Sequence, residues 1–121
     1  RSTALDLGNF MIAYLNGGTL GSNTILAPAT INEMLSLQIP LLDTTQGLNW
    51  YRTKLYHSGG EAMLWGHSGG EQGVSTYLYL DPQNDIGICL LTNGEGDGLY
   101  ICDELYDHAL NMTVDSSSSH N

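Results

Sequence analysis

Leu64-Trp65-Gly66-His67-Ser68-Gly69-Gly70, followed by the runs Gly73 to Asp81 and Ile86 to Asn93, is the stretch on which the fold turns. Val74-Ser75-Thr76-Tyr77-Leu78-Tyr79-Leu80 alternates: Val74, Thr76, Leu78 and Leu80 fall on one side, and Ser75, Tyr77 and Tyr79 on the other. Its β-branched and aromatic residues suit a pleated surface. Asp81-Pro82-Gln83-Asn84-Asp85 breaks the run, and Ile86-Gly87-Ile88-Cys89-Leu90-Leu91 is a second apolar strand. The pattern is strand, turn, strand, with a His-Ser pair between glycines on a strand that precedes both. Any chemistry belongs at His67-Ser68-Gly69-Gly70.

Gly66-His67-Ser68-Gly69-Gly70 also fits the G-x-S-x-G pattern of an α/β-hydrolase nucleophile elbow, with Ser68 as the attacking hydroxyl. That alternative needs a helix directly after the serine, because the turn exposes the hydroxyl and the helix N-terminus faces the oxyanion. The β-rich residues that follow argue against one. A triad of this kind would draw on His108, with Asp103 or Asp107 as orienter.

Upstream, Ser2 or Thr3 is a plausible N-cap, and Leu7, Phe10, Met11, Tyr14 and Leu15 recur at the spacing of one helical face. Asn16-Gly17-Gly18 ends that helix. Thr19 to Ala27 reads as loop. Pro28 suits the first turn of a second helix, with Ile31, Met34, Leu35 and Gln38 on one face and Pro40 as the stop. A strand is expected over Gly47 to Tyr56, then a turn at His57-Ser58-Gly59-Gly60 and a strand from Glu61 to Gly69. Asn93 to Gly98 is an acidic loop without the spaced oxygen ligands of a calcium loop. Leu99 to about Met112 predicts a third helix with Ile101, Leu105, His108 and Met112 along one stripe. Asn111-Met112-Thr113 matches a glycosylation sequon by pattern only. Residues 114–121 are polar and serine-rich, and predict a disordered tail after a single domain over 1–113.

The 121 residues suffice for one domain, and no apolar run approaches the length of a membrane span. Arg1, Arg52 and Lys54 are the only Lys or Arg residues, so from Leu55 onward the chain carries acidic charge alone. Nucleic-acid binding is disfavoured, because phosphate contacts need clustered cations. Cys89 and Cys102 do not make a disulfide framework; a bridge between them has no support beyond the count. No His or Cys pair has zinc-ligand spacing, and neither a metal nor a cofactor is expected.

The order His67-Ser68-Gly69, Gly70, Gly73, Leu80-Asp81-Pro82 and Leu91-Thr92-Asn93 resembles the third active-site motif of the serine β-lactamase-like superfamily and the strands after it. That group includes class C β-lactamases, DD-peptidases and related esterases and amidases. Ser2-Thr3-Ala4-Leu5-Asp6-Leu7 looks like the start of the helix after the family's second motif, and Gly47-Leu48-Asn49-Trp50 like its Gly-Leu-Gly-Trp strand. The resemblance covers about residues 1–111 and implies an α+β fold, an antiparallel sheet flanked by helices. By the same resemblance, His67 replaces the usual lysine, Ser68 would hydrogen-bond substrate, and the Gly70 N–H would form half of an oxyanion hole. Gly69, Glu71 and Gln72 would border the substrate, a small molecule or peptide. Tyr14-Leu15-Asn16 matches the family's Tyr-x-Asn motif only by chance, since it falls at a helix end.

The family's nucleophile lies in a Ser-x-x-Lys motif, and no serine here is followed three residues later by lysine. The expectation is therefore a C-terminal portion that is inert alone, and that folds against an N-terminal complement bearing Ser-x-x-Lys and Tyr-x-Asn or by self-association. The rival of another class is a catalytically silent binding module.

Overall fold

The computed structural model describes residues 1–118, with side-chain surroundings through Met112. Helix α1 (Ala4–Leu15) starts where Thr3, in extended conformation, accepts a hydrogen bond from the Asp6 N–H at 3.1 Å and donates its hydroxyl to the Asp6 carboxylate at 2.9 Å. Gly17 and Gly18 both take positive φ and turn the chain out of it. A ribbon of β1 (Thr19–Leu20) and β2 (Asn23–Thr24) follows where the sequence suggested only loop. Strands of two residues are too short to leave a periodic signal.

Helix α2 (Pro28–Met34) ends well before Pro40. Gln38, expected on its face, lies beyond it, where the side-chain amide donates to the carbonyls of Glu33 at 2.9 Å and Ser36 at 3.2 Å. Those bonds satisfy carbonyls that another helical turn would have used. The next strand begins later than expected: Gly47 donates to the Trp50 carbonyl at 2.7 Å and Asn49 sits at φ 59°, so Gly47 to Trp50 is a turn.

The main sheet runs β3 (Tyr51–His57), β4 (Gly60–Glu71), β5 (Val74–Asp81), β6 (Ile86–Thr92), every neighbour antiparallel. The fold is α+β, with helices on both faces of this sheet. Alternation along β5 divides it as the sequence implies. Leu78 and Leu80 meet α1 and α2 beside Met11, Tyr14, Ile31 and Trp50. Tyr77 and Tyr79 face the other way, against Leu55, Leu64, Ile86, Ile88 and helix α3 (Leu99–Ser118).

Helix α3 buries a different stripe from the one expected. Cys102 and Tyr106 are fully buried, whereas Leu105 and Met112 are exposed. The Tyr106 hydroxyl decides this rotation by donating to the buried Asp81 carboxylate at 2.6 Å. The same carboxylate also accepts from the Asn84 side chain at 2.6 Å and the Gln83 N–H at 3.0 Å. On the rim, Asp103 accepts from the Tyr56 N–H at 2.9 Å, and Asp107 accepts from both the N–H and the hydroxyl of Ser58 at 2.7 Å. The helix runs through Ser118, within the segment that the sequence marked as a polar tail. The rest of that segment, 119–121, lies outside the described residues. Cys89 and Cys102 are both free thiols; one belongs with the α1 side and the other with the α3 core, so the sheet stands between them and no bridge can form. Among the described residues, no helix is long and apolar enough to cross a membrane.

Two stability tests follow from the α3 core. Tyr106→Phe removes one charge-assisted donor from a buried carboxylate, and urea titration should show a loss of about 1 to 3 kcal/mol. Burial raises the Tyr79 phenol from its ordinary 10.0 to about 12, with the neighbouring Cys102 adding to it. The unfolded chain then ionises first, so stability should hold below pH 10.0 and fall as pH rises toward about 12. Tyr79→Phe should flatten that alkaline limb, measured as the unfolding midpoint across the pH range.

Candidate functional site

Strand β4 is longer than either neighbour, and this sets the site. β3 pairs with it only from Gly60 to Gly66, the last pair being Tyr51 with Gly66. His67 to Glu71 therefore pair with β5 alone. Beyond Gly66, the flank of β4 that β3 lines is open among the described residues.

The direction of the main-chain groups along this open flank follows from β5. Ser75 turns its N–H and its C=O toward β6, where the Thr92 hydroxyl takes both at 3.2 and 3.0 Å. Gly70 lies opposite Ser75. In an antiparallel ladder such a non-hydrogen-bonded pair points its backbone groups away from each other. Gly70 thus directs its N–H away from β5 toward the open flank, and Ser68, two residues earlier, does the same.

The glycines around the serine have separate physical reasons. At Gly66 a Cβ would run into the Tyr79 ring and the Leu78 carbonyl, so this glycine is required by packing. At Gly70 the nearest atom to an added Cβ is the Val74 carbonyl oxygen at 3.9 Å, and the position is open. Gly69 lies between: its carbonyl accepts the Thr76 hydroxyl at 3.2 Å.

No elbow forms at Ser68. The strand runs straight through it and reverses as a hairpin at Gln72-Gly73, with Glu71 paired to Val74. This overturns the α/β-hydrolase alternative, which required a helix there. Its supposed orienters are committed elsewhere: Asp103 ties α3 to β3 and Asp107 ties it to the turn after β3, and the Ser58 bonds hold the Asp107 carboxyl below its ordinary range. His108 is exposed on α3.

His67 is exposed, and its Nδ1 lies 2.7 Å from the Ser68 carbonyl oxygen. A carbonyl only accepts, so Nδ1 carries the proton and Nε2 of the neutral ring remains available to another group. Tyr51 meets the imidazole edge-on, with centroids 5.5 Å apart. The ring also lines a cleft of about 240 Å³ with Phe10, Tyr14, Met34, Trp50 and Leu78. Farther along the strand, Gly69, Gly70 and Glu71 border an open hollow of about 390 Å³ with Val74 and Thr76. Gln72 is exposed in the turn itself, away from the run of His67 to Gly70. The hairpin is braced from the acidic loop, where Glu95 accepts the Gly73 N–H at 2.6 Å.

The structure thus brings His67, Ser68, Gly69, Gly70 and Glu71 together on one partly unpaired strand segment. Sequence reasoning missed Phe10, Met34 and Trp50 as neighbours of His67, having assigned them to helix faces or to a strand. Their only available signal was a run of large apolar side chains around Gly47 and along α1, which is also what a core looks like.

Two substitutions test the division of labour among the glycines. Gly66→Ala should cost about 1 to 3 kcal/mol by overpacking against Tyr79. Gly70→Ala should leave the unfolding free energy within about 0.5 kcal/mol of the parent chain, measured by the same urea titration.

The family model described as Beta-lactamase matches residues 1–110. No curated protein and no solved structure gives a significant match.

Proposed function

Because the chain belongs to the beta-lactamase family of serine-hydrolase-like proteins, we propose that it is the C-terminal portion of a serine hydrolase that cleaves ester, amide or peptide bonds through an acyl-enzyme. The observation that carries this is the open flank of β4, where the Gly70 N–H is turned outward beside His67 and Ser68.

An acyl-transfer site needs a nucleophile, a base and backbone donors aimed at the oxygen that becomes negative. The flank supplies the last of these. A substrate carbonyl placed beside Gly70 receives its N–H without interference from a side chain. Ser68 offers a hydroxyl on the same run, and the free Nε2 of neutral His67 accepts a hydrogen bond from a tyrosine or substrate donor.

The nucleophile comes from a partner segment of the same protein, one carrying Ser-x-x-Lys and Tyr-x-Asn. Its serine attacks the carbonyl carbon, an ester to that serine forms as the leaving group departs with a proton, and water then releases the acid. His67 in place of a lysine is a fixed cation only when protonated. That favours esterase, amidase or peptidase chemistry over β-lactam hydrolysis. In isolation, the chain is a silent wall of the cleft.

A fluorescent phosphonate should label the complete enzyme at the serine of Ser-x-x-Lys on the partner segment, and leave this chain unmarked. In that enzyme Gly70→Pro, which deletes the N–H, should lower turnover by about 10² to 10³. Gly70→Ala, which keeps it, should lose far less. Label on Ser68 would refute the proposal.

A further inference from the structure

The cleft beside His67 is built almost wholly from apolar surface, contributed by segments far apart in sequence. Tyr14 and Trp50 are buried with ring centroids 5.0 Å apart, and Phe10 is 39% exposed with its ring nearly parallel to that of Trp50. Met34, Leu78 and one polar residue, Asn49, complete the wall, and His67 belongs both to this cleft and to the open strand segment. A group entering the cleft is therefore contiguous with one lying along His67 to Gly70.

Charge sharpens the choice of occupant. The chain's three Lys or Arg residues are Arg1, Arg52 and Lys54. Lys54 is engaged with Glu61 at 2.9 Å, and Arg52 lies over the Trp65 ring, 5.7 Å from its centroid. None of these cations lines the cleft or the neighbouring hollow, whereas Glu71 lines the hollow. An apolar group gains by leaving water for the cleft, but a carboxylate entering it would be desolvated with no Lys or Arg to meet it, only the Asn49 amide and the His67 imidazole at its edge.

From this geometry we propose that the cleft of Phe10, Tyr14, Met34, Trp50 and Leu78 is the acyl-group subsite of the enzyme. Its substrate class is esters or amides of bulky, uncharged apolar acids, and acyl groups bearing a carboxylate are turned away. A volume of about 240 Å³ suits an aromatic ring or a short branched chain. The role as acyl subsite rests on the acyl-transfer reading of the strand flank; the affinity of the cleft for apolar groups does not.

Two readouts separate the ideas. The first is binding to the complete enzyme: titration with 4-phenylbutyramide and with the dianion of glutaric acid, followed by Trp fluorescence and the His67 ring proton shifts. Saturable binding of the amide, absent for the diacid and weakened about tenfold or more in Phe10→Ala, is the expected result. The second is the complete enzyme acting on the p-nitrophenyl ester of 4-phenylbutyric acid and on mono-p-nitrophenyl glutarate. kcat/KM should favour the apolar ester by at least about tenfold, and Phe10→Ala should erode that ratio mainly through KM. Hydrolysis of both esters at equal rates overturns the subsite and leaves the hydrolase reading standing. Amide binding at His67 with no hydrolysis of either ester overturns the acyl-subsite role together with the hydrolase reading, and leaves an apolar binding cleft. Failure of both measurements overturns both.

Discussion

A carboxylate without water must be met by donors, and Asp81 shows how much of the architecture that requirement organises. It closes β5, is buried, and is satisfied from two directions: the turn residues Gln83 and Asn84 on one side and the Tyr106 hydroxyl on the other. The first pair shapes the turn between β5 and β6 and so fixes their register. The second sets the rotation of α3, which brings Cys102 and Tyr106 inward and leaves Leu105 outside. Burial, with the Asp81 carboxylate adding to it, pushes the Tyr106 phenol well above its usual range, so this hydroxyl stays a donor throughout the neutral range. Register then passes from β5 to β4, where it decides which amides look outward.

The same sheet serves two purposes along one strand. The first half of β4 is ordinary interior: Leu64 is fully buried and Gly66 lies under the Tyr79 ring. The second half has lost one neighbour, and exposed backbone there is normally a liability. Here the exposed run is short, carries the adjacent glycines Gly69 and Gly70, is braced at its end by Glu95, and is flanked by an apolar cleft. A carbonyl substrate, unlike another strand, asks for only one or two outward N–H groups, which suits a segment of this length.

Much of the fold was legible because its signals are local. The alternation over Val74 to Leu80, the Asp-Pro-Gln-Asn break and the Ile86 run specify a hairpin without reference to anything else. The Thr3 cap and the Gly17-Gly18 stop do the same for α1. What was illegible depends on partners distant in the chain. Leu105 and Tyr106 are both reasonable core residues in isolation, and only Asp81, 25 residues earlier, selects between them. Gln38 turns back to cap α2 by its side-chain amide, which periodicity cannot register. At the site, His67, Ser68 and Gly70 stood out by their spacing, whereas Phe10, Met34 and Trp50 belong to three separate segments and meet only once the sheet is formed. The family match over residues 1–110 agrees with the resemblance those spaced residues carried.

The clamps between β3 and α3 bear on the order in which the molecule is assembled. β3 to β6 are joined by successive hairpins, so each pairing closes a short loop and can form as soon as its residues are available. The bonds from Tyr56 to Asp103 and from Ser58 to Asp107 span 47 and 49 residues. On a ribosome, α1, α2 and the sheet would emerge and cover one another's apolar face first. The opposite face, with Leu55, Leu64, Tyr79 and Ile88, must wait for α3 to leave the exit tunnel. During that interval the nascent chain presents a wet half-core, which makes this face the natural place for a chaperone to hold it.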